Sequence, residues 1–87
     1  MSELTKLPNI GPELEKVLLL AAIKSVDDLL KTGSKGTFIR IKTIDPEACL
    51  DKLYAIEGAC QNIRWHSLDK EKKRELKDLF DSLQRKK

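Results

Sequence analysis

Apolar residues recur every three or four positions along most of the chain, a spacing that predicts helices rather than strands. A helix over residues 12–22 has one apolar face, formed by Leu14, Val17, Leu18 and Ala21. Residues 46–61 are apolar around most of the circumference, which is typical of a buried central helix. The segment "TFIRIKTI" at 37–44 alternates as a strand does, but it has no second strand to pair with, so we interpret it as helical. The sequence therefore predicts an all-α fold.

Signals for the starts and ends of helices divide the chain further. Ser25, followed three residues later by Asp28, forms a capping box that begins a helix, and Gly33 ends it. Asn62 is suited to the left-handed position that ends the central helix. A short first helix precedes the turn "LPNIGP", and a last helix closes the chain. We predict one compact domain of five to six helices that spans residues 1–87.

The turn "LPNIGP" stops one helix and starts another almost at once, as helix–hairpin–helix elements do. In those elements, backbone N–H groups at the start of the second helix hold a DNA phosphate. Here the hairpin turn is Asn9, Ile10 and Gly11, and Asn9 occupies the place of a first glycine because asparagine tolerates a positive φ. Glu13 and Glu15 follow, and their carboxylates would repel a phosphate. The turn is thus interpreted either as a DNA contact or as a folding element.

Charge is concentrated near the end of the chain. The net charge is +3, with 8 basic and 9 acidic residues over 1–63 (net −1) but 9 basic and 5 acidic over 64–87 (net +4). The last helix carries its cations on one flank, formed by Lys70, Lys73, Arg74 and Lys77, with the tail Arg85, Lys86 and Lys87 beyond it. The flank is either a solvated helix face or a contact for DNA or an acidic protein. We predict that any DNA affinity is weak, independent of sequence and carried by this flank.

The segment "RWH" at 64–66 follows the central helix and combines an aromatic ring with basic side chains. We interpret Trp65 as a buried core residue, with an exposed recognition site as the alternative. Glu57 is the acid in the middle of the apolar helix. We expect it to satisfy a neighbouring polar group, such as Arg64 or the indole N–H of Trp65, rather than to act as a catalytic carboxylate.

The sequence offers little for catalysis or metal binding. His66 is the single histidine, neither cysteine belongs to a CxxC pair, and no phosphate loop or dinucleotide fingerprint is present. We therefore expect no enzyme, cofactor or metal. Cys49 and Cys60, eleven residues apart in one predicted helix, are too distant for a disulfide and are interpreted as core residues in a reducing cytoplasm. The longest apolar run, 17–23, is too short to span a membrane.

Two leucines do not fit the apolar face of the helix over residues 12–22. Leu19 and Leu20 lie well off the stripe that begins at Leu14 and Leu18. They either pack under a neighbouring helix or form an exposed patch. On the second interpretation we predict a homodimer contact through this helix.

Four stretches of the chain resemble the C-terminal domain of the TfoX/Sxy family of bacterial competence regulators. The matching segments are "LTKLPNIGPELEKVL", "AAIKSVDDLLKTGS" with Ala22 where a glycine is usual, "FIRIKTIDPEACLDKLYAIEGACQNIRWHSL" and "KEKKRELKDLF". Together they cover about residues 3–80.

The resemblance implies an all-helical fold that opens with a helix–hairpin–helix turn, and a role linked to DNA uptake and its transcriptional control. It implies a stand-alone C-terminal domain, since full-length members of the family also carry an N-terminal domain. It does not imply catalysis. Two functions are expected from it: a regulatory module that contacts DNA or a DNA-bound transcription regulator, or a protein-interaction module without a nucleic-acid role.

Overall fold

The computed structural model describes residues 3–85 and is all-α over that range. Its elements are a 3-10 helix at Glu3–Lys6, α1 at Pro12–Leu20, α2 at Val26–Ile44, α3 at Leu50–Gln61, a second 3-10 helix at Trp65–Ser67 and α4 at Lys70–Arg85. No strand occurs within this part of the chain. The predicted fold class is confirmed, but the predicted number of helices was wrong, because residues 3–85 contain four α-helices rather than five or six.

The difference in number has a local cause at Gly33. This glycine has φ 80° and ψ 164°, outside the helical region, yet it lies inside α2. The backbone does leave the helical region at Gly33, as the predicted helix end requires, but helical conformation resumes directly afterwards and continues to Ile44. Two predicted helices are therefore one kinked element.

Several of the predicted helix signals work as expected. The hydroxyl of Ser25 accepts a hydrogen bond from the backbone N–H of Asp28 at 3.1 Å. In return, the carboxylate of Asp28 accepts one from the backbone N–H of Lys24 at 3.1 Å. Asn62 ends α3 with φ 61°, and Ala22 has φ 67°, the conformation that explains why a glycine is usual there. These residues fix the turns that precede and follow the helices.

The central helix starts later than the sequence suggests. It begins at Leu50 rather than at residue 46, because Asp45 forms a turn in which its carboxylate accepts a hydrogen bond from the backbone N–H of Glu47 at 3.2 Å. Cys49 consequently precedes the helix and is exposed, so its assignment to the core was wrong. Cys60 is half-buried and packs against the core.

α3 lies between α2 and α4, and the core forms where the three helices meet. Its largest fully buried side chains are Phe38, Leu4, Leu18, Ile23, Leu29, Ile41, Leu53, Ile56 and Leu76. α1 and the first 3-10 helix complete the core from the hairpin side through Leu4, Ile10, Leu14 and Leu18. Within residues 3–85, no helix is both long enough and apolar enough to cross a membrane.

Candidate nucleic-acid interface

The hairpin turn has the backbone that the sequence predicts. Asn9 has φ 72°, the left-handed conformation that helix–hairpin–helix turns assign to glycine. Ile10 is 5% exposed and anchors the turn in the core. Gly11 is the N-cap of α1 with an extended backbone, and Pro12 occupies the first helical position.

The side chain of Asn9 links the hairpin to the C-terminal half of α3 and to the segment that follows it. Its amide nitrogen donates to the backbone carbonyl oxygens of Ile63, at 2.9 Å, and Ala55, at 3.3 Å. Its amide oxygen accepts a hydrogen bond from the backbone N–H of Trp65 at 3.2 Å. One asparagine thus links the turn to the segment that carries the aromatic cluster.

Gly58 makes this close approach possible. A Cβ at Gly58 would lie 2.6 Å from the amide nitrogen of Asn9, 2.8 Å from the carbonyl oxygen of Ile63 and 3.1 Å from the Cα of Trp65. The absence of a side chain at Gly58 therefore lets the hairpin approach α3 closely.

Trp65 combines the two interpretations that the sequence allowed. It is partly buried and packs against the core, but part of the side chain stays accessible. Its ring stacks on Tyr54, with centroids 5.8 Å apart, and on His66, with centroids 4.1 Å apart. The cluster Tyr54–Trp65–His66 is a continuous stack of three rings, called the ring stack below.

Glu57 satisfies polar neighbours, but not the expected ones. The hydroxyl of Ser34 donates to one of its carboxylate oxygens at 2.5 Å, and the amide of Gln61 donates to the other at 2.6 Å. The predicted partners, Arg64 and the indole N–H of Trp65, were wrong, because Arg64 is exposed and Trp65 faces the ring stack. Glu57 therefore joins α3 to α2 near the kink.

The basic flank of α4 begins beside the ring stack. The ammonium of Lys73 lies 5.9 Å from the centroid of the Trp65 ring, a distance at which cation–π attraction acts. The hydroxyl of Tyr54 donates to the backbone carbonyl of Lys73 at 3.4 Å. Contacts from Tyr54 and Trp65 thus hold the basic flank against the ring stack.

The four cations of the flank differ in how available they are. Lys70 and Arg74 are exposed and have no ion-pair partner among residues 3–85, whereas Lys73 is partly buried beside Trp65. Lys77 pairs with Asp81 at 3.0 Å, and this hydrogen bond raises the pKa of Lys77. Lys86, Lys87 and the side chain of Arg85 lie outside the described residues.

On the other flank of α4, one acidic residue binds lysines within the molecule. Glu75 pairs with Lys35 of α2 and with Lys72, the latter at 3.3 Å. The hydrogen bonds from Lys35 and then from Lys72 lower the pKa of Glu75. The pair with Lys35 is an exposed contact between α4 and α2.

The hairpin and the basic flank, which the sequence presents as separate DNA contacts, meet at Trp65. Asn9 binds its backbone, and Lys73 lies beside its ring. The sequence alone does not indicate this junction or the part that Tyr54 plays in it. The tolerance of Asn9 for a positive φ was recognised from the sequence, but it does not indicate that the hairpin contacts α3 and Trp65 across about fifty residues.

A second surface lies on α1. An open depression of about 350 Å³ is lined by Pro12, Glu13, Lys16 and Val17. Leu20, one helical turn further along the same face, is 67% exposed, and the neighbouring Leu19 is 41% exposed. The two leucines form an exposed patch and do not pack under another helix.

Other reactive side chains do not assemble into a site. Within residues 3–85, no group of three or more histidine, cysteine or acidic side chains is placed to hold a metal ion. Burial, and secondarily the charge of Glu57, raise the pKa of the Cys60 thiol to about 11. At neutral pH this thiol is therefore protonated and a poor nucleophile.

Comparison with known proteins gives a consistent picture. The family model of the TfoX C-terminal domain matches residues 1–80. A crystal structure of an uncharacterized protein from Listeria monocytogenes, in a triclinic form, is 50% identical in sequence with a TM-score of 0.93, covering 94% of this chain and 93% of that one. A tetragonal crystal structure of a Listeria monocytogenes protein of unknown function is 51% identical with a TM-score of 0.89, covering 91% and 98%. No curated protein matches this chain.

Proposed function

This chain belongs to the TfoX C-terminal domain family, and from that premise we propose that it is a non-enzymatic regulatory module that binds DNA through the basic flank of α4. Membership of the family suggests a regulatory domain related to competence. A regulator of this kind meets DNA in the bacterial cytoplasm, where we expect the protein to act.

The observation that carries the proposal is the availability of Lys70 and Arg74. Both are exposed, and neither has a carboxylate partner among residues 3–85. Their acidic neighbour Glu75 is engaged with Lys35 and Lys72 on the opposite flank. A phosphate that approaches Lys70 and Arg74 therefore meets cations without an ion-pair partner among residues 3–85. Such cations are the main source of affinity for a polyanion.

The hairpin positions the DNA-binding surface but does not itself contact the phosphate in this proposal. Glu13 is exposed directly after the turn, so a phosphate at the start of α1 would face a carboxylate. Asn9 directs its side chain inward to Ile63 and Trp65, and in this way the hairpin positions the ring stack beside the flank. We assign the hairpin a structural role and the flank the charge contact.

The contact is expected to be weak and independent of sequence. Two unpaired cations, with Lys73 beside them, neutralise few phosphates, and contacts to phosphates carry no sequence information directly. Each neutralised phosphate contributes about −0.9 to the slope of log affinity against log salt concentration, so three contacts give a slope of about −3. A salt titration of binding to random duplex DNA tests this. Absence of binding, or binding that does not change with salt, would contradict the proposal.

A second candidate function, protein interaction or homodimerisation, is favoured by the exposed patch on α1. Leu20 and Leu19 are exposed beside the open depression of the same helix. The depression contains one acid, Glu13, and one base, Lys16, so a second copy of the face can offer opposite charges to it. A DNA-bound transcription regulator is the other protein partner that this role would allow. The two functions use different surfaces and are separable by experiment.

A further inference from the structure

The ring stack ends in a side chain that the fold itself does not use. His66 is exposed, and its one ring contact within residues 3–85 is the stack on Trp65 at 4.1 Å, with an interplanar angle of 27°. The two inner rings, Tyr54 and Trp65, are partly buried and packed against the core. The outer face of the imidazole is therefore an accessible aromatic surface on a rigid base.

The rigidity of that base follows from bonds at each level of the stack. The backbone N–H of Trp65 is held by Asn9, and the hydroxyl of Tyr54 is held by the carbonyl of Lys73. The 3-10 helix Trp65–Ser67 is closed by a hydrogen bond from the backbone N–H of Ser67 to the carbonyl of Arg64 at 2.9 Å. A ring that stacks on His66 would meet a surface that needs little ordering.

Basic residues lie next to the ring stack, either along the chain or on α4. Arg64 precedes it in the chain and is exposed, and Lys73 lies 5.9 Å from the centroid of Trp65. Lys70 lies one turn of α4 before Lys73 and is exposed with no ion-pair partner in the described part of the chain. An aromatic surface beside a row of cations is the arrangement with which proteins bind single-stranded nucleic acid, because bases stack on the ring and phosphates follow the charges.

We propose that this domain prefers single-stranded nucleic acid to duplex, with an unpaired base stacked on the outer face of His66 and the adjoining phosphates at Lys70 and Lys73. The inference rests on the proposed DNA contact of α4 and adds the class of ligand. A duplex offers the same phosphates, but its bases are stacked on one another and cannot reach the imidazole. Base stacking on His66 therefore distinguishes the two ligands.

The test compares labelled strands of equal length by fluorescence anisotropy: oligo(dT), oligo(U), an abasic DNA strand with the same phosphates, and a duplex. We expect oligo(dT) to bind about fivefold or more tightly than the abasic strand, as one stacked base would give. Because Trp65 is the single tryptophan, its emission should also change on binding of the base-containing strands and stay constant with the abasic one. Similar affinities for oligo(dT) and oligo(U) would show that the base, which stacks in both strands, and not the sugar, determines the affinity.

Variants of the stack complete the test. His66→Ala should reduce oligo(dT) affinity to that of the abasic strand and leave abasic binding unchanged, while His66→Tyr should restore the preference. Ser67→Ala, at the next exposed position, is the matched control and should change neither. Equal binding of all strands and the duplex, unaffected by His66→Ala, would overturn this inference and leave the phosphate contact standing. If the protein bound none of the strands and not the duplex, both this inference and the proposed DNA contact of α4 would be overturned.

Discussion

The backbone N–H of Trp65 donates a hydrogen bond of 3.2 Å to the side chain of Asn9, 56 residues earlier in the chain. This bond brings the hairpin, the ring stack and the basic flank of α4 into one region of the surface. It also explains why asparagine can replace glycine in the turn. Asn9 tolerates the left-handed backbone and adds polar groups that the neighbouring carbonyls and N–H require.

We first predict that Asn9 contributes to stability by two separable effects. Asn9→Gly keeps the positive φ but removes the side chain, and should lower the free energy of unfolding by about 1–3 kcal/mol because the backbone groups of Ile63 and Trp65 lose a partner. Asn9→Ala should cost about 1–2 kcal/mol more, the penalty of a left-handed alanine. Urea unfolding followed by circular dichroism measures both.

Asn62 provides the matched control for this comparison. It has φ 61° but is exposed at the end of α3, and its side chain makes no hydrogen bond within residues 3–85. Asn62→Gly should leave stability almost unchanged. If Asn9→Gly were equally neutral, the proposed anchoring of the hairpin would be wrong.

A second prediction concerns Gly58. Alanine is the better helix former by about 1 kcal/mol, but here its methyl group would lie 2.8 Å from the backbone carbonyl of Ile63 and 2.6 Å from Asn9. Because a backbone atom must move, we expect Gly58→Ala to destabilise the domain by about 1–3 kcal/mol. Thermal unfolding would show the effect. Gly11→Ala, where a Cβ meets nothing within 4 Å, is the comparison and should cost less.

The two cysteines should differ in reactivity. Burial raises the pKa of the Cys60 thiol to about 11, while Cys49 is exposed before α3. At pH 8, iodoacetamide should therefore modify Cys49 much faster than Cys60, as peptide mass spectrometry after timed quenching would detect. Equal rates would show that the end of α3 opens readily in solution.

The same shift predicts how stability changes at high pH. The pKa of Cys60 is higher in the folded protein than its reference value of 9.0, so the folded state favours the protonated thiol. Its contribution to stability is complete below pH 9 and is lost as the pH rises towards about 11. The variant Cys60→Ala should lack this part of the alkaline decline, which denaturant titrations at pH 8 and pH 10.5 would measure.

A further prediction separates the second candidate function from the first. If the patch on α1 mediates self-association, sedimentation should show a dimer that Leu19→Ser with Leu20→Ser converts to a monomer. Both leucines are exposed, so the substitutions should leave the helical content unchanged. A monomer at high concentration in the unsubstituted protein would remove the homodimer from consideration, without bearing on the basic flank.

Local features of this fold could be predicted from the sequence, because each depends on residues within one turn. The capping box at Ser25 and the left-handed ends at Asn9 and Asn62 are of this kind. The kink in α2 was harder to predict from the sequence, because a glycine such as Gly33 can either end a helix or bend it. Which of the two occurs depends on how both halves of α2 pack.

The candidate site lay beyond what one sequence can indicate. Its parts were visible separately: a turn near residue 10, the "RWH" segment and a basic flank after residue 70. Their junction depends on the hydrogen bonds of Asn9 and on the approach allowed by Gly58, and neither leaves a periodic signal. The partners of Glu57 were missed for the same reason, because Ser34 lies 23 residues away on another helix.

The most direct test of the account is a comparison of two double charge reversals in binding to nucleic acid at low salt. Lys70→Glu with Arg74→Glu alters the basic flank, and Lys24→Glu with Lys31→Glu alters exposed lysines elsewhere. Each pair changes four charge units, taking the net charge from +3 to −1. We predict that the flank variant loses at least about tenfold in affinity and flattens the salt dependence, since two phosphate contacts are removed. The control should lose much less. Equal losses in both variants, with the fold intact by circular dichroism, would contradict the assignment of the binding surface to α4.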